Sequence, residues 1–228
     1  MFYSFLDKQF FYSAPPDYEA ATSHTVEVTV SDGTFSIVVH VNIQITDVND
    51  GGPTFASATY TATAAENAAV GTSLVTVAAT DPDLSTRTYG KLTFSITAGN
   101  TGNVFVIDPN TGKVSIAGVL NYETTTSYTL TLQVSEQTGG NTDTASLTIT
   151  VTDVNDNTPS CTSAMTFSYT MAETGTVNDV IYSMTCTDAD ASDTLTYTLS
   201  SGSSTYFQIS GTDLTVIYKQ KQHSITFF

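Results

Sequence analysis

The sequence predicts an all-β protein made of tandem β-sandwich modules, and three observations carry that expectation. Apolar residues alternate with polar ones at a spacing of two along much of the chain, the period of a strand with one covered face. Thr supplies 44 of the 228 residues, and β-branched side chains fit a pleated sheet better than a crowded helix surface. Motifs also recur just over one hundred residues apart, the mark of a repeat architecture. Helical spacing is sustained nowhere.

The repeat sets the boundaries. Asp47-Val48-Asn49-Asp50 returns 106 residues later as Asp153-Val154-Asn155-Asp156. Glu66 is matched by Glu173, and Asp81-Pro82-Asp83 by Asp188-Ala189-Asp190, each at an offset of 107. Tyr18-Glu19 returns as Tyr122-Glu123, and Val30-Ser31-Asp32 as Val134-Ser135-Glu136, at 104. In this register residues 1–53 are the C-terminal half of a repeat, 54–159 a complete repeat, and 160–228 the N-terminal half of a third.

In chain order, Phe35, Ile37, Val39, Val41, Ile43 and Ile45 make the first alternating strand. Asp50-Gly51-Gly52-Pro53 reads as a linker, since Gly and Pro interrupt regular pairing. Leu92, Phe94 and Ile96 alternate next, then Tyr128, Leu130, Leu132 and Val134, then Leu147, Ile149 and Val151. About seven such strands fit between 54 and 159, which predicts an antiparallel sandwich with Tyr60, Phe94, Phe105 and Tyr128 in its core. Asp156-Asn157-Thr158-Pro159 is the second linker.

Charge narrows the function. Six Lys and Arg face 22 Asp and Glu, a formal charge of −16, although only 12% of residues are charged. Such a chain does not suit nucleic acid, whose phosphates need basic partners. It is not disordered by composition either: Leu, Ile, Val and Phe number 54, above the disordered range. No apolar run approaches a membrane span, and Asp7 and Lys8 interrupt the place where a leader would need its apolar stretch. Taken literally this is a soluble chain without an export signal, but the half repeats at its two ends make it read as a fragment.

Most of the acids fall on the repeated motifs at strand ends and linkers. Carboxylates crowded without bases repel one another unless a cation neutralises them. The donors there are all oxygens, with no Cys or His among them, which disfavours zinc and copper and suits Ca²⁺. A glycosidase-like pairing of Asp81 and Asp83 would need a cleft, which a linker does not offer. His24, His40 and His223 share no triad or metal spacing, and no nucleophile motif occurs, so an enzyme is not expected. Cys161 and Cys186 fall near one pole, either bridged or as two buried thiols.

Several stretches carry a family resemblance: the Asp-x-Asn-Asp linkers, Ala65-Glu66-Asn67-Ala68-Ala69-Val70-Gly71-Thr72, Ala79-Thr80-Asp81-Pro82-Asp83 and Leu120-Asn121-Tyr122-Glu123. Phe105-Val106-Ile107-Asp108 with Thr111-Gly112-Lys113-Val114, and Gly90-Lys91-Leu92-Thr93-Phe94-Ser95-Ile96, fit as well. Together they resemble the repeats of the cadherin superfamily over nearly the whole chain. The resemblance implies Greek-key, seven-stranded sandwiches of immunoglobulin-like architecture with Ca²⁺ at each junction.

By position, it assigns Asp17, Glu19, Asp47, Asn49, Asp50, Asp81, Asp83 and Glu136 to the first junction, with carbonyls from Val48 and Gly51. The second takes Glu66, Asn121, Glu123, Asp153, Asn155, Asp156, Asp188 and Asp190, with carbonyls from Val154 and Asn157. Asn121 and Glu136 stand where the family usually has Asp, Gly51 replaces an Asn without expected harm, and the loop after Asp83 lacks the usual Gly and Asn. The implied function is calcium-dependent, homophilic cell-cell adhesion at the outer face of the plasma membrane, the partner being a cadherin-like ectodomain on an opposing cell. A secreted matrix or carbohydrate-binding structural protein built from similar sandwiches is the alternative.

Overall fold

A computed structural model of the chain describes residues 14–85, 92–137, 140–162, 167–170, 176–190, 193–200 and 206–216. Glu173 and most of the loop after Asp83 lie outside the described residues. The chain divides into two compact units, residues 1–121 with 125–152 and residues 122–124 with 153–228.

The first unit opens with a hairpin, β1 (Ser23–Ser31) paired antiparallel to β2 (Ser36–Gln44). Its turn is built by Asp32, whose Oδ1 accepts the N–H groups of Thr34 at 2.8 Å and Phe35 at 2.7 Å. Those two donors hold the Asp32 carboxyl below its usual range. Gly33 follows at φ +95°, a left-handed turn position that disfavours a side chain.

A sandwich follows. Its strands are β3 (Thr54–Phe55), β4 (Thr59–Ala65), β5 (Ser73–Thr76), β6 (Ala79–Thr80), β7 (Leu92–Ala98), β8 (Phe105–Ile107), β9 (Lys113–Ile116), β10 (Ser127–Glu136) and β11 (Thr142–Thr152). One sheet has the order β4-β11-β10-β7, a second β5-β9-β8, and β3 pairs with β6. The nine segments make seven strands, because β3 and β4 are halves of one edge strand that changes sheet, and β5 and β6 belong to one run. Val77 and Ala78 bridge that run, Val77 N–H donating to Gly112 and the Ala78 carbonyl accepting from Ala56.

The expectation of a wholly antiparallel sandwich needs one correction. β4 runs parallel to β11, Ser146 opposite Thr59 through Thr152 opposite Ala65. The reason is topological: the edge strand that crosses between the sheets enters the second one alongside the last strand in the same direction.

Alternation builds the core as expected. Leu130, Leu132, Val134, Leu147 and Ile149 from one sheet and Val114 from the other are fully buried, with Val151 and Ile116 nearly so. Burying each such side chain stabilises by roughly 1.5–3 kcal/mol. Rings clamp the two sheets: Phe105 meets Tyr128 edge-on at 5.0 Å, and Phe55 meets Phe94 at 6.0 Å. Phe94 and Phe105 are buried, whereas Tyr60 and Tyr128 are half-buried and close the sandwich rim.

The same alternation in the β1–β2 hairpin does not produce burial. Phe35 is 75% exposed and Ile37 65% exposed. Both strands are paired edge to edge, but among the described residues no second sheet covers their apolar face. Period-two patterning dictates which residues share a face; only an opposing layer removes that face from water.

The second unit holds β12 (Ser160–Cys161), β13 (Val180–Ser183), β14 (Cys186–Thr187), β15 (Phe207–Ser210) and β16 (Asp213–Val216). Its sheets, β12-β14 and β13-β16-β15, repeat the β3-β6 and β5-β9-β8 arrangements. Cys161 and Cys186 are register partners and are joined by a disulfide, which resolves the alternatives left open by their sequence positions. No helix of the described residues is long and apolar enough to cross a membrane.

Candidate metal centre

The first acidic cluster lies where the segment 47–51 meets the sandwich. Exposure alternates along it: Asp47, Asn49 and Gly51 are half-buried, while Val48 and Asp50 face outward. Gly51 N–H donates to Asp83 Oδ2 at 2.8 Å. Asn49 Nδ2 donates to Glu136 Oε2 at 2.8 Å. Asp83 is 1% exposed: the 3₁₀ turn Pro82–Ser85 carries it inward, and its N–H donates to Asp81 Oδ1 at 2.9 Å. Carboxylate oxygens of Glu19, Asp50 and Asp83 approach within 4.8 Å of one another.

This geometry is electrostatically unfavourable as it stands. A backbone hydrogen bond pulls the Glu19 carboxyl down, but desolvation and the charges of Asp83 and Asp47 outweigh it and leave the group above its usual value. Asp81 is pushed up mainly by desolvation; the Asp83 N–H offsets part of that, and the charges of Glu136 and Asp83 add to it. Asp81 Oδ2 is buried with no hydrogen-bond partner, and a cation bound to it would take the place of the missing donor. Both Asp47 carboxylate oxygens are likewise shielded from solvent. Hard oxygen donors of this kind fit a divalent cation of the Ca²⁺ type.

Two candidate ligands behave differently from the rest. Asp17 Oδ1 accepts the Ala20 N–H at 3.0 Å, capping the turn that carries Glu19. The Val48 carbonyl accepts the Asp50 N–H at 3.0 Å. Glycine at position 51 also suits its surroundings sterically. A Cβ there would stand 2.4 Å from Pro82 Cγ and 3.0 Å from Asp83 Oδ2, so the position requires glycine while proline stands opposite. The second linker pairs Asn157 with Ala189 at the equivalent places, a compensation visible only once the two segments are brought together.

Asn141 was not legible in the sequence. From the β10–β11 turn its Nδ2 reaches the Gly51 carbonyl at 2.9 Å and Glu136 Oε1 at 3.2 Å. It holds the linker carbonyl and the Glu136 carboxylate together, and no spacing rule announces it.

The second cluster, within the C-terminal unit, centres on Asn157 and Asp190. Asn157 N–H donates to Asp190 Oδ2 at 3.1 Å. Its side-chain Nδ2 lies 2.9 Å from Asp190 Oδ1, Glu123 Oε1 and Asp156 Oδ1. Oxygens of Glu123, Asp156 and Asp190 gather within 4.8 Å, as do those of Asp188, Asp190 and Asp193. The Asn157 side chain, then its N–H and that of Asp156, hold the Asp190 carboxyl low against its desolvation. Asp193 belongs to no repeated motif; Asn155 Nδ2 donates to it, and desolvation followed by the charges of Asp190, Asp188 and Asp153 raises its carboxyl.

Of the remaining candidates, Glu66 is 4% exposed at the end of β4, its N–H bonded to the Thr152 carbonyl at 3.1 Å. Asn121 accepts the Thr125 N–H at 3.0 Å through its carbonyl, and Asp153 and Val154 are half-buried.

Comparisons with known proteins agree with this architecture. Residues 60–152 match the Cadherin domain family. Human Protocadherin Fat 1 is 36% identical over 180 residues, covering 77% of this chain and 4% of its own length. Human Cadherin-23 is 40% identical over 147 residues, 64% of this chain and 4% of the relative. The structure of mouse cadherin-23 EC22-24 superposes with a TM-score of 0.74 at 26% identity, covering 91% of this chain and 68% of that one. The protocadherin gammaB7 EC3-6 cis-dimer structure gives a TM-score of 0.79 at 20% identity over 93% of this chain and 54% of that one, a likeness of fold. This chain belongs to the cadherin superfamily, and it spans only a small part of its curated relatives.

Proposed function

We propose that this chain is part of a calcium-dependent adhesion ectodomain, contacting a cadherin-like ectodomain on an opposing cell, homophilically, at the outer face of the plasma membrane. The observation that carries the reading is the pairing of Gly51 N–H with Asp83 and of Asn157 N–H with Asp190. At each linker the backbone is laid against an Asp-x-Asp loop, so that linker and module carboxylates converge. In the first cluster the charges facing one another disfavour ionisation, and a divalent cation would reverse that cost.

Calcium supplies positive charge and accepts six to eight oxygens in flexible geometry. The residues that would hold it are, in the first cluster, Glu19, Asp47, Asp50, Asp81, Asp83 and Glu136, and in the second, Glu123, Asp153, Asp156, Asp188 and Asp190. Binding there would restrain the linker and lower the ordering cost when several modules meet a partner. The disulfide supports an oxidising, extracellular setting. The role is one of binding and mechanics, without catalysis.

Beads coated with the chain test this directly. They should cluster in millimolar calcium, the affinity range of extracellular calcium modules, and disperse on adding chelator. Calcium uptake by calorimetry without clustering would overturn the homophilic reading in favour of a matrix role. Absence of calcium uptake would overturn both.

A further inference from the structure

The two linkers are delivered to their acidic loops by equivalent strand pairs pinned in different ways. In the first unit Thr54 pairs with Thr80 and Phe55 with Ala79; continuing that register toward the linker brings residue 51 opposite residue 83, where the Gly51–Asp83 bond forms. In the second unit Ser160 pairs with Thr187 and Cys161 with Cys186; continuing it brings residue 157 opposite residue 190, where the Asn157–Asp190 bond forms. The inner ends match too, Ala56 N–H donating to Ala78 and Thr162 N–H to Thr185.

At the first pair the pin is apolar. Phe55 is 6% exposed, its ring against Tyr60 and Phe94 and its N–H on Asp143 Oδ2 at 2.8 Å. Tyr60 and Phe94 belong to the large sheet, whereas the position equivalent to Phe55 in the second unit is Cys161, which carries no ring to make such contacts. Cys161 is exposed there, and a two-residue ladder has little hydrogen bonding of its own to hold register. We propose that the Cys161–Cys186 disulfide is the positioning element of the second acidic cluster, holding covalently the register that buried Phe55 holds at the first. Its importance to cation binding rests on the calcium reading above; its control of the Asn157–Asp190 contact does not.

Amide exchange on the full chain, in chelator and then in calcium, tests this with Cys161→Ser/Cys186→Ser beside the parent. In chelator the Asn157 amide should exchange faster by on the order of a hundredfold, the scale set by opening a disulfide-closed loop of this length. The Gly51 amide should not change, and neither should that of Asn178, which is bonded to Val216 within the same unit. In calcium the variant should need a higher concentration than the parent to reprotect Asn157.

An unchanged Asn157 rate would overturn the proposal. So would equal acceleration at Asn178, because the disulfide would then be a general staple of the unit. If calcium fails to slow Asn157 exchange even in the parent, the calcium reading fails, and the chelator arm alone still decides the role of the disulfide.

Discussion

Gly51 shows how a residue that looks interchangeable in a motif becomes specific in its contacts. An Asn at this position would drive its Cβ into the ring of Pro82, and a proline ring has little freedom to move aside. Gly51→Asn should therefore destabilise the first unit by about 1–3 kcal/mol, the scale of overpacking. The double variant Gly51→Asn/Pro82→Ala, which copies the Asn157/Ala189 pairing, should recover most of the loss in a thermal melt. Titration gives a second test, because two carboxylates are shifted in opposite directions. Asp81 is raised, so its contribution to stability in chelator is full below the usual Asp value and lost as pH rises through the folded value. Asp190 is lowered, so its contribution is present above the usual value and lost as pH falls through the folded one. Melts in chelator should accordingly show Asp81→Asn stabilising and Asp190→Asn destabilising at neutral pH; with calcium present, Asp81→Asn should destabilise instead.

At the scale of elements, two hairpins share one sequence pattern and one register. His24 faces Ile43 as Tyr128 faces Ile149, and Val26 faces Val41 as Leu130 faces Leu147. Yet Ile149 is fully buried and Ile43 is 36% exposed. Ile149→Ala should cost about 2–5 kcal/mol in denaturant unfolding, the cost of a cavity in a packed core. Ile43→Ala should cost less than about 1 kcal/mol, as surface replacements do. Similar losses from both would show that the β1–β2 face is covered in solution.

For the whole molecule, the proposal concerns charge and stiffness together. A scaffold of −16 whose acids gather at linkers should extend and stiffen when calcium neutralises them. Small-angle scattering should show a longer, narrower distance distribution in calcium than in chelator. Identical profiles would remove the mechanical role while leaving the fold untouched.

The sequence alone determined the strand periodicity, the repeat interval and the concentration of acid at its junctions, because these depend on residue type and spacing within one chain. It also identified most of the carboxylates that cluster, since they sit inside repeated motifs. Asn141, Asp193 and the Gly51–Pro82 fit were hidden, because each acquires its role from a segment distant in sequence. The parallel β4–β11 pairing and the exposure that the β1–β2 face has among the described residues could be read only from the tertiary structure. Periodicity states which side chains lie together, and only the packing of another layer states whether water reaches them.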